Sequence, residues 1–521
     1  MTESIPKGWA VATLGDLVHL NPKNYLDDSL DAGFVPLSSL GTRFRQHHGV
    51  EVRPWKEIKK GYTHFSDGDV VLARITPSFE NGKAGIIRDL PNKVGAGSTE
   101  YFVCRPLRGV LLPEYLLAFF KTSTFLNEGQ QVMNGAVGQQ RVPKHYLTSQ
   151  RIHLPPYNEQ KRITTKLNSL LARLDGCHER LVHVPSMLKR LRDSSLTAAM
   201  TGTLSEEWRR ESPETLSWKK IRLQDVTEHL DYGSSAKSAQ TGQVPVLRMG
   251  NIQEGKIDWS DLVYTSDVDE IGKYGLEDGD VLFNRTNSPE LVGKTAVFKG
   301  LRKAIYAGYL IRIRCLPALD PDFLSICLNS PAGRDYCRRV KSDGVSQSNI
   351  SATKLADFEF SMPAVAEQRE IVSRYEAVLN HIEVLRTTQS RSLEWLHNLE
   401  QSILTAALGG KLVAQDQHDE PARQLLEQVE SLKQQFEHAT LLDQKRGRIT
   451  TMKKFSKDTL KAAIQGMSMS SFTSDQLRAS VATEYEHFKD VLFSLLDESQ
   501  PIVTQTFDPI SHSVMLTRVS K

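Results

Sequence analysis

Leu154-Pro155-Pro156-Tyr157-Asn158-Glu159-Gln160-Lys161-Arg162-Ile163 opens a run in which Leu167, Leu170, Leu174, Leu181, Leu188 and Leu191 return at spacings of three, four or seven. Met362-Pro363-Ala364-Val365-Ala366-Glu367-Gln368-Arg369-Glu370-Ile371 does the same 208 residues on, followed by Tyr375, Val378, Ile382, Leu385, Leu396, Leu399 and Ile403, with one step of eleven between Leu385 and Leu396. Apolar residues at these intervals share one helix face and mark a coiled-coil seam. Each tract covers about 40 residues, or roughly 60 Å at the helical rise. Two seams of matching length in one chain pack most simply antiparallel. Pro185 is expected to kink or restart the first helix.

Outward from these tracts, the rest of the chain repeats too. Trp9, Leu14, Asp16 and Leu17 recur as Trp218, Leu223, Asp225 and Val226, and Val35-Pro36 as Val244-Pro245, all 209 residues on. Asp67-Gly68-Asp69-Val70 recurs as Asp278-Gly279-Asp280-Val281, with Arg74 and Arg285, Gly82-Lys83 and Gly293-Lys294, Ala96-Gly97 and Ala307-Gly308, and Cys104 and Cys315, at an interval of 211. Leu196-Thr197-Ala198-Ala199 recurs as Leu404-Thr405-Ala406-Ala407, 208 on. A two-copy repeat of this size means two similar domains rather than a solenoid. The part of each copy before its helix carries short β-rich runs, such as Val70-Val71-Leu72-Ala73, broken by Gly, Pro and Asp-Gly, and reads as a mixed domain around a twisted sheet.

Composition excludes several classes. No apolar run approaches the ~18 residues that span a bilayer, and the start has no secretory leader pattern. The five cysteines, Cys104, Cys177, Cys315, Cys327 and Cys337, form no CxxC pair, so they read as buried reduced thiols rather than a zinc or disulfide framework. Net charge is only +3, although basic residues crowd at Arg43 to Lys60 and at Arg334, Arg338, Arg339 and Lys341. Two similar domains on rigid helices suit a bipartite DNA site or, equally on geometry alone, a scaffold with two protein-binding domains.

The junction motifs distinguish these. Pro6-Lys7-Gly8-Trp9, the Pro-rich entries to Glu159-Gln160 and Glu367-Gln368, the helix ends Leu196 to Leu204 and Ile403 to Leu412, and the following Glu207-Trp208-Arg209 and Asp419-Glu420-Pro421-Ala422 stand in order and in duplicate. Together they closely resemble the specificity subunit of type I restriction-modification systems, over about residues 5–435. The resemblance implies an α+β architecture. Residues 1–157 and 216–363 would be mixed α/β target-recognition domains reading the two parts of a bipartite site in double-stranded DNA. Residues 158–215 and 364–440 would hold two spacer helices forming an antiparallel coiled coil, a pseudo-twofold duplication that sets the gap. Two modification subunits, which bind S-adenosylmethionine and methylate adenine at N6, would dock on those helices, and restriction subunits with motor and nuclease activity would join them in the cytoplasm. This chain would hold no cofactor, no metal and no catalytic residue.

Two decoys agree with that. Leu154-Pro155-Pro156-Tyr157 mimics the Asp/Asn-Pro-Pro-Tyr motif of adenine methyltransferases, but leucine cannot accept a hydrogen bond from the target amino group. Gly293-Lys294-Thr295 mimics the end of a P-loop, but Ser288 stands where its first glycine belongs. Pro321-Asp322 lacks the downstream residues of a nuclease motif.

Base edges are read by Arg, Lys, Asn or Gln, and phosphates by Lys, Arg, Ser, Thr or backbone N–H. Three segments per domain qualify. Arg74 and Thr76, and Arg285 and Asn287, follow the Asp-Gly-Asp-Val turns, where Asp67 and Asp278 are expected to serve the turn. Lys83 and Lys294 sit in Gly-Lys turns. A late loop carries Gln139, Gln140 and Arg141 in the first copy, and Gln347 and Asn349 in the second. Arg43 and Arg45 stand roughly where the second copy has Asn251 and Gln253, and Arg248 is a further candidate. The differences predict two different half-sites.

After about residue 411 the duplication stops. Pro421 opens a short helix with Leu425, Val429, Leu432 and Phe436 at heptad spacing. Residues 441–521 then read as a basic linker (Lys445, Arg446, Arg448, Lys453, Lys454) and a winged-helix-like domain: helices over Thr459–Met467, Ser474–Ser480 and Thr483–Leu496, then a hairpin. Acidic Glu484, Glu486 and Asp490 in its third helix favour partner docking over DNA binding.

Overall fold

Short runs of β-formers build two main sheets in each repeat, beside smaller two- and three-stranded ladders. The computed structural model describes residues 5–211, 218–345, 347–454, 456–481, 485–508 and 513–519, and the chain divides into two units, 1–175 with 397–521, and 176–396. In the first unit an antiparallel four-stranded sheet runs Val18–Leu20, Tyr101–Pro106, Val70–Ala73, Ala84–Ile86. A second sheet runs Glu51–Pro54, Asp31–Val35, Val94–Gly97, Thr63–Ser66, its middle pair parallel. The second unit repeats both: Thr227–Tyr232, Leu310–Cys315, Val281–Asn284, Thr295–Val297, and then Val263–Thr265, Val244–Leu247, Ile305–Tyr306, again with one parallel pair. Register corrects one sequence pairing. Val70 faces Cys104, whereas Val281 faces Ile313, so Arg105 and Arg314 correspond, not Cys104 and Cys315. A slip of two residues keeps every side chain on its own face, so pattern alone cannot detect it.

The long helices are Tyr157–Met200 and Val365–Leu408. In the first unit Ile163, Leu167 and Leu171, at the start of one helix, share a core with Leu404 and Ala407, at the end of the other. In the second unit Leu196 and Ala199 at one helix end meet Ile371 and Tyr375 at the other's start. This is the expected antiparallel pairing, with corrections to the seam. Leu171 is buried in place of Leu170, and Leu191 and Leu385 are exposed. Pro185 does not restart the first helix. It deprives the Leu181 carbonyl of its helical donor, and the Gln389 amide of the second helix donates to that carbonyl at 3.2 Å.

The repeated Glu-Gln pair now has a physical reason. Gln160 is fully buried; its amide donates to the carbonyls of Val110 (2.8 Å) and Pro155 (3.1 Å), and its Oε1 accepts from Leu112 N–H (2.9 Å). Gln368 repeats the set with Ala318 (3.0 Å), Pro363 (2.9 Å) and Asp320 (2.8 Å). Buried Glu159 accepts from the Trp9 indole at 3.0 Å, while buried Glu367 takes Ser205 and Arg209 at 2.7 and 2.6 Å. The helix-end glycines complete the junctions. Gly202 and Gly410 both have φ near +70°, and a Cβ there would come within 2.4 Å of Arg209 and Pro6 respectively.

The tail departs from expectation at two points. The short helix and basic linker are a single helix, Ala422–Lys454, because Lys, Arg, Gln and Glu extend a helix as well as they fill a linker. Its Ala422 N–H donates to Gly8, and Phe436 stacks on His19 at 3.7 Å. The terminal domain has helices Lys457–Gly466, Ser474–Ala479 and Tyr485–Leu496 around a core that includes Leu460, Phe472, Leu492 and Leu516. The hairpin Val503–Asp508/Ser513–Arg518 is joined by a third strand, Ser471–Thr473, unseen in the sequence. Cys177 is exposed, against the expectation of uniformly buried thiols.

Replacing Gln160 by Leu strands two buried carbonyls and a part-buried N–H, and replacing Gln368 by Leu strands one buried carbonyl with a part-buried carbonyl and N–H. At about 1–3 kcal/mol for each unsatisfied group, each variant should lose roughly 3–6 kcal/mol in denaturant unfolding of its own unit; a loss below about 1 kcal/mol would remove this role from the pair.

Candidate nucleic-acid interface

The Asp-Gly-Asp turns aim a strand at each candidate site. The carboxylates that hold them are the second aspartates, not Asp67 and Asp278. Asp69 accepts from Ser66 N–H at 2.7 Å and takes a two-pronged pair from Arg105, 2.8 Å at each oxygen. Asp280 accepts from Glu277 N–H at 2.9 Å and from Arg314 at 3.1 Å. Burial raises both carboxyls above their ordinary range, and the arginines oppose it. Asp67 instead accepts from the distant Leu90 N–H.

Beyond the turn, two of the three candidate segments come together. Val142 N–H donates to Arg74 O at 2.8 Å and Thr76 N–H to Gln140 O at 2.9 Å; in the second domain Ile350 N–H donates to Arg285 O at 2.9 Å. Thr286 and Asn287 pair with Asn349 and Ser348 as a short ladder. The late loop therefore springs from the same base in both domains, with Gln139 and Gln347 exposed.

The chemistry at that base differs. In the first domain Glu100 binds Arg141 through both oxygens (2.8 and 2.9 Å) and Arg74 at 3.3 Å. Arg141 first, and Arg74 with it, hold the Glu100 carboxyl below the usual carboxylate range, although partial burial opposes them. In the second domain Tyr309 occupies the position of Glu100, since Arg285 N–H donates to Tyr309 O as Arg74 N–H does to Glu100 O. Arg285 donates to Asn349 Oδ1 at 3.0 Å and lies 4.5 Å over the Tyr232 ring.

The third segment is braced rather than open. Lys83 donates to Leu37 O at 3.0 Å and Lys294 to Gln253 Oε1 at 2.9 Å; burial and nearby Arg334 lower the Lys294 amine. Lys121, missed in the sequence because it ends an apolar helix, is buried with its amine on the carbonyls of Gly82 (2.6 Å) and Thr42 (2.8 Å). Burial brings that amine down to about 7. Asn329 does the equivalent work in the second domain, exchanging hydrogen bonds with the Thr295 backbone at 3.2 and 2.8 Å.

Four other candidates are engaged within the protein. Arg43 pairs with Asp175 on the first long helix, and Arg45 reaches Asp175 at 3.3 Å and Asn168 O at 3.1 Å. The matching region of the second domain docks with reversed charge: Glu254 faces Arg386 at 3.1 Å and Arg192 at 3.7 Å. Asn251 is buried, holding Asp258 O and Asp261 O at 3.0 and 2.8 Å, and Arg248 pairs with Asp261. Among the described residues no group of three or more His, Cys, Asp or Glu is placed to hold a metal.

A family profile described as the type I restriction modification DNA specificity domain matches residues 6–181 and again 216–394. The chain belongs to this family. It is a specificity subunit of a type I restriction-modification system, the family of the recognition subunit rather than of a catalyst. The EcoEI specificity subunit of Escherichia coli is 26% identical over 494 residues, covering 78% of this chain and 83% of the relative. The EcoKI specificity subunit of Escherichia coli K12 is 29% identical over 441 residues, covering 80% and 92%. A solved chain from work on complex assembly and conformational transition of the type I R-M system has the same fold, with a TM-score of 0.64 at 20% identity, over 78% of this subunit and 99% of that chain. The profile's second match ends before the helix Ala422–Lys454 and the terminal domain, so the family relation rests on the duplicated part. No helix among the described residues is long and apolar enough to cross a membrane.

Glu100 gives a pH test of the first domain's cluster. Its folded pKa is depressed, so its contribution is present above the ordinary glutamate range and lost as pH falls through the folded value. Glu100→Gln should cost under ~1 kcal/mol at pH 7, the pairs being partly exposed, and the difference from the native chain should shrink as unfolding is measured at pH falling from the ordinary glutamate range through the lower folded value. A difference independent of pH would show that the charge contributes nothing.

Proposed function

We propose that the two domains read the two parts of a bipartite site in double-stranded DNA, and that the long helices set the gap and dock two modification subunits. Those partners would bind S-adenosylmethionine and methylate adenine at N6, restriction subunits would join the same cytoplasmic complex, and this chain would hold no cofactor. The observation that carries the reading is the duplicated loop base: one architecture with an Arg-Glu-Arg cluster in the first copy and an Arg-Asn pair beside Tyr309 in the second. A shared scaffold with divergent donors is what two different half-sites require. Arg141, Gln139 and Gln140 in the first domain, and Gln347 and Asn349 in the second, are the proposed base readers. Arg74, Thr76 and Lys83, and Arg285, Asn287 and Lys294, are the proposed backbone contacts and supports. Arg43, Arg45, Arg248 and Asn251 shape the loops and their seating on the helices. Exposed Val182, Met187, Val384 and Trp395 on the long helices suit subunit docking. The terminal domain, with Tyr485 and Phe493 exposed on its last helix, is proposed to dock a protein partner.

Co-expression with the modification subunit, followed by mapping of N6-methyladenine, should yield a two-part motif with a fixed gap. Arg141→Ala should relax one part of that motif and weaken target binding by about 1–3 kcal/mol, leaving the other part unchanged. An assembled complex that methylates no defined motif would refute the reading.

A further inference from the structure

The late loop of each domain ends in an uncovered apolar side chain. Val137 is 98% exposed and Val345 111%, and they stand 208 residues apart, the interval that relates the Glu-Gln pairs. Across the aligned stretches Met133–Val142 and Lys341–Ile350, only Val137/Val345 and Gln139/Gln347 are the same residue. Arg141 has become Asn349, and Gln140 has become Ser348. What differs between the copies suits half-sites that differ. A glutamine, as donor and acceptor, can serve different bases, but an apolar side chain kept in both copies has to meet something that is the same on both sides.

Backbone hydrogen bonds tie the stem of each loop together. In the first domain Asn134 and Arg141 exchange backbone hydrogen bonds at 3.0 and 2.8 Å across the loop, and Gln139 N–H closes onto Ala136 O at 2.9 Å. In the second, Ser342 and Asp343 pair with Asn349 and Ser348, and Gly344 N–H donates to Gln347 O at 2.8 Å. A stiff β-branched side chain on a closed loop loses little freedom on docking. The DNA offers no matching surface. A phosphate gives an apolar side chain nothing, a thymine methyl would tie both copies to one base, and side chains that wedge between base steps are mostly larger. An apolar pocket on a protein present in two identical copies meets every condition.

We propose that Val137 and Val345 are equivalent docking knobs, each seated in the same apolar pocket of one of the two modification subunits. This rests on the subunit arrangement proposed above. The test uses the full chain co-expressed with the modification subunit, carrying Val137→Asp, Val345→Asp, both, or the isosteric Val→Thr pair. Stoichiometry would be read by native mass spectrometry and affinity by titration without DNA. Each single Asp variant should weaken one of the two sites about tenfold or more, the double variant both, and the Thr pair less. The unfolding midpoint of the isolated chain should not move, since both positions are exposed. A double variant that assembles as the native chain does overturns the proposal, whether or not its DNA binding falls; a fall would assign the tips to DNA. If the native chain itself takes up no modification subunit, the underlying reading fails instead.

Discussion

The buried glutamine at the start of each long helix is the constraint on which the rest depends. Gln160 and Gln368 each satisfy two carbonyls and one N–H that no strand or helix serves. In doing so each fixes the entry to a helix against the loop that precedes an apolar helix of its own domain. Orphaned polar groups there would cost more than most surface contacts return, so the direction of each helix relative to its domain is set locally. The adjoining glutamates close the same junctions by different means: Glu159 with the indole of Trp9, Glu367 with Arg209 and Ser205. Gly202 and Gly410 let the returning chain pass close enough to seal them.

Given that frame, each domain delivers a strand from an Asp-Gly-Asp turn to the base of its late loop. Its rigidity comes from buried or half-buried charge: Asp69 with Arg105, Asp280 with Arg314, and the Lys121 amine among backbone carbonyls. Removing one member of such a pair costs far more than its net contribution. These groups hold in place the strand and the base of the late loop in each domain. The two domains share this support and differ in the exposed donors it presents.

The same region shows opposite charge polarity in its seating on the helices. The first domain offers arginines to a helix carboxylate, the second a glutamate to helix arginines. A basic cluster looks alike in a sequence whether it faces phosphate or a carboxylate, and in the structure Arg43 and Arg45 both face Asp175.

Much of the architecture was legible in one dimension because it is periodic or repeated. The seams of Ile163 and Leu167 and of Ile371 and Tyr375, the two domains and the antiparallel order of the helices follow from spacing and duplication, which a sequence carries directly, and the family from the resemblance of the junction motifs. Tertiary structure alone decided which charges are spent inside the protein, since Asp175, Glu100 and Glu254 lie far along the chain from the arginines they hold. It also decided that Arg314, not Cys315, stands with its counterpart in the strand, because a slip of two preserves the pattern of faces. And it decided that Lys445 to Lys454 continue a helix, because their composition suits a helix and a linker equally and only the formed backbone separates the two.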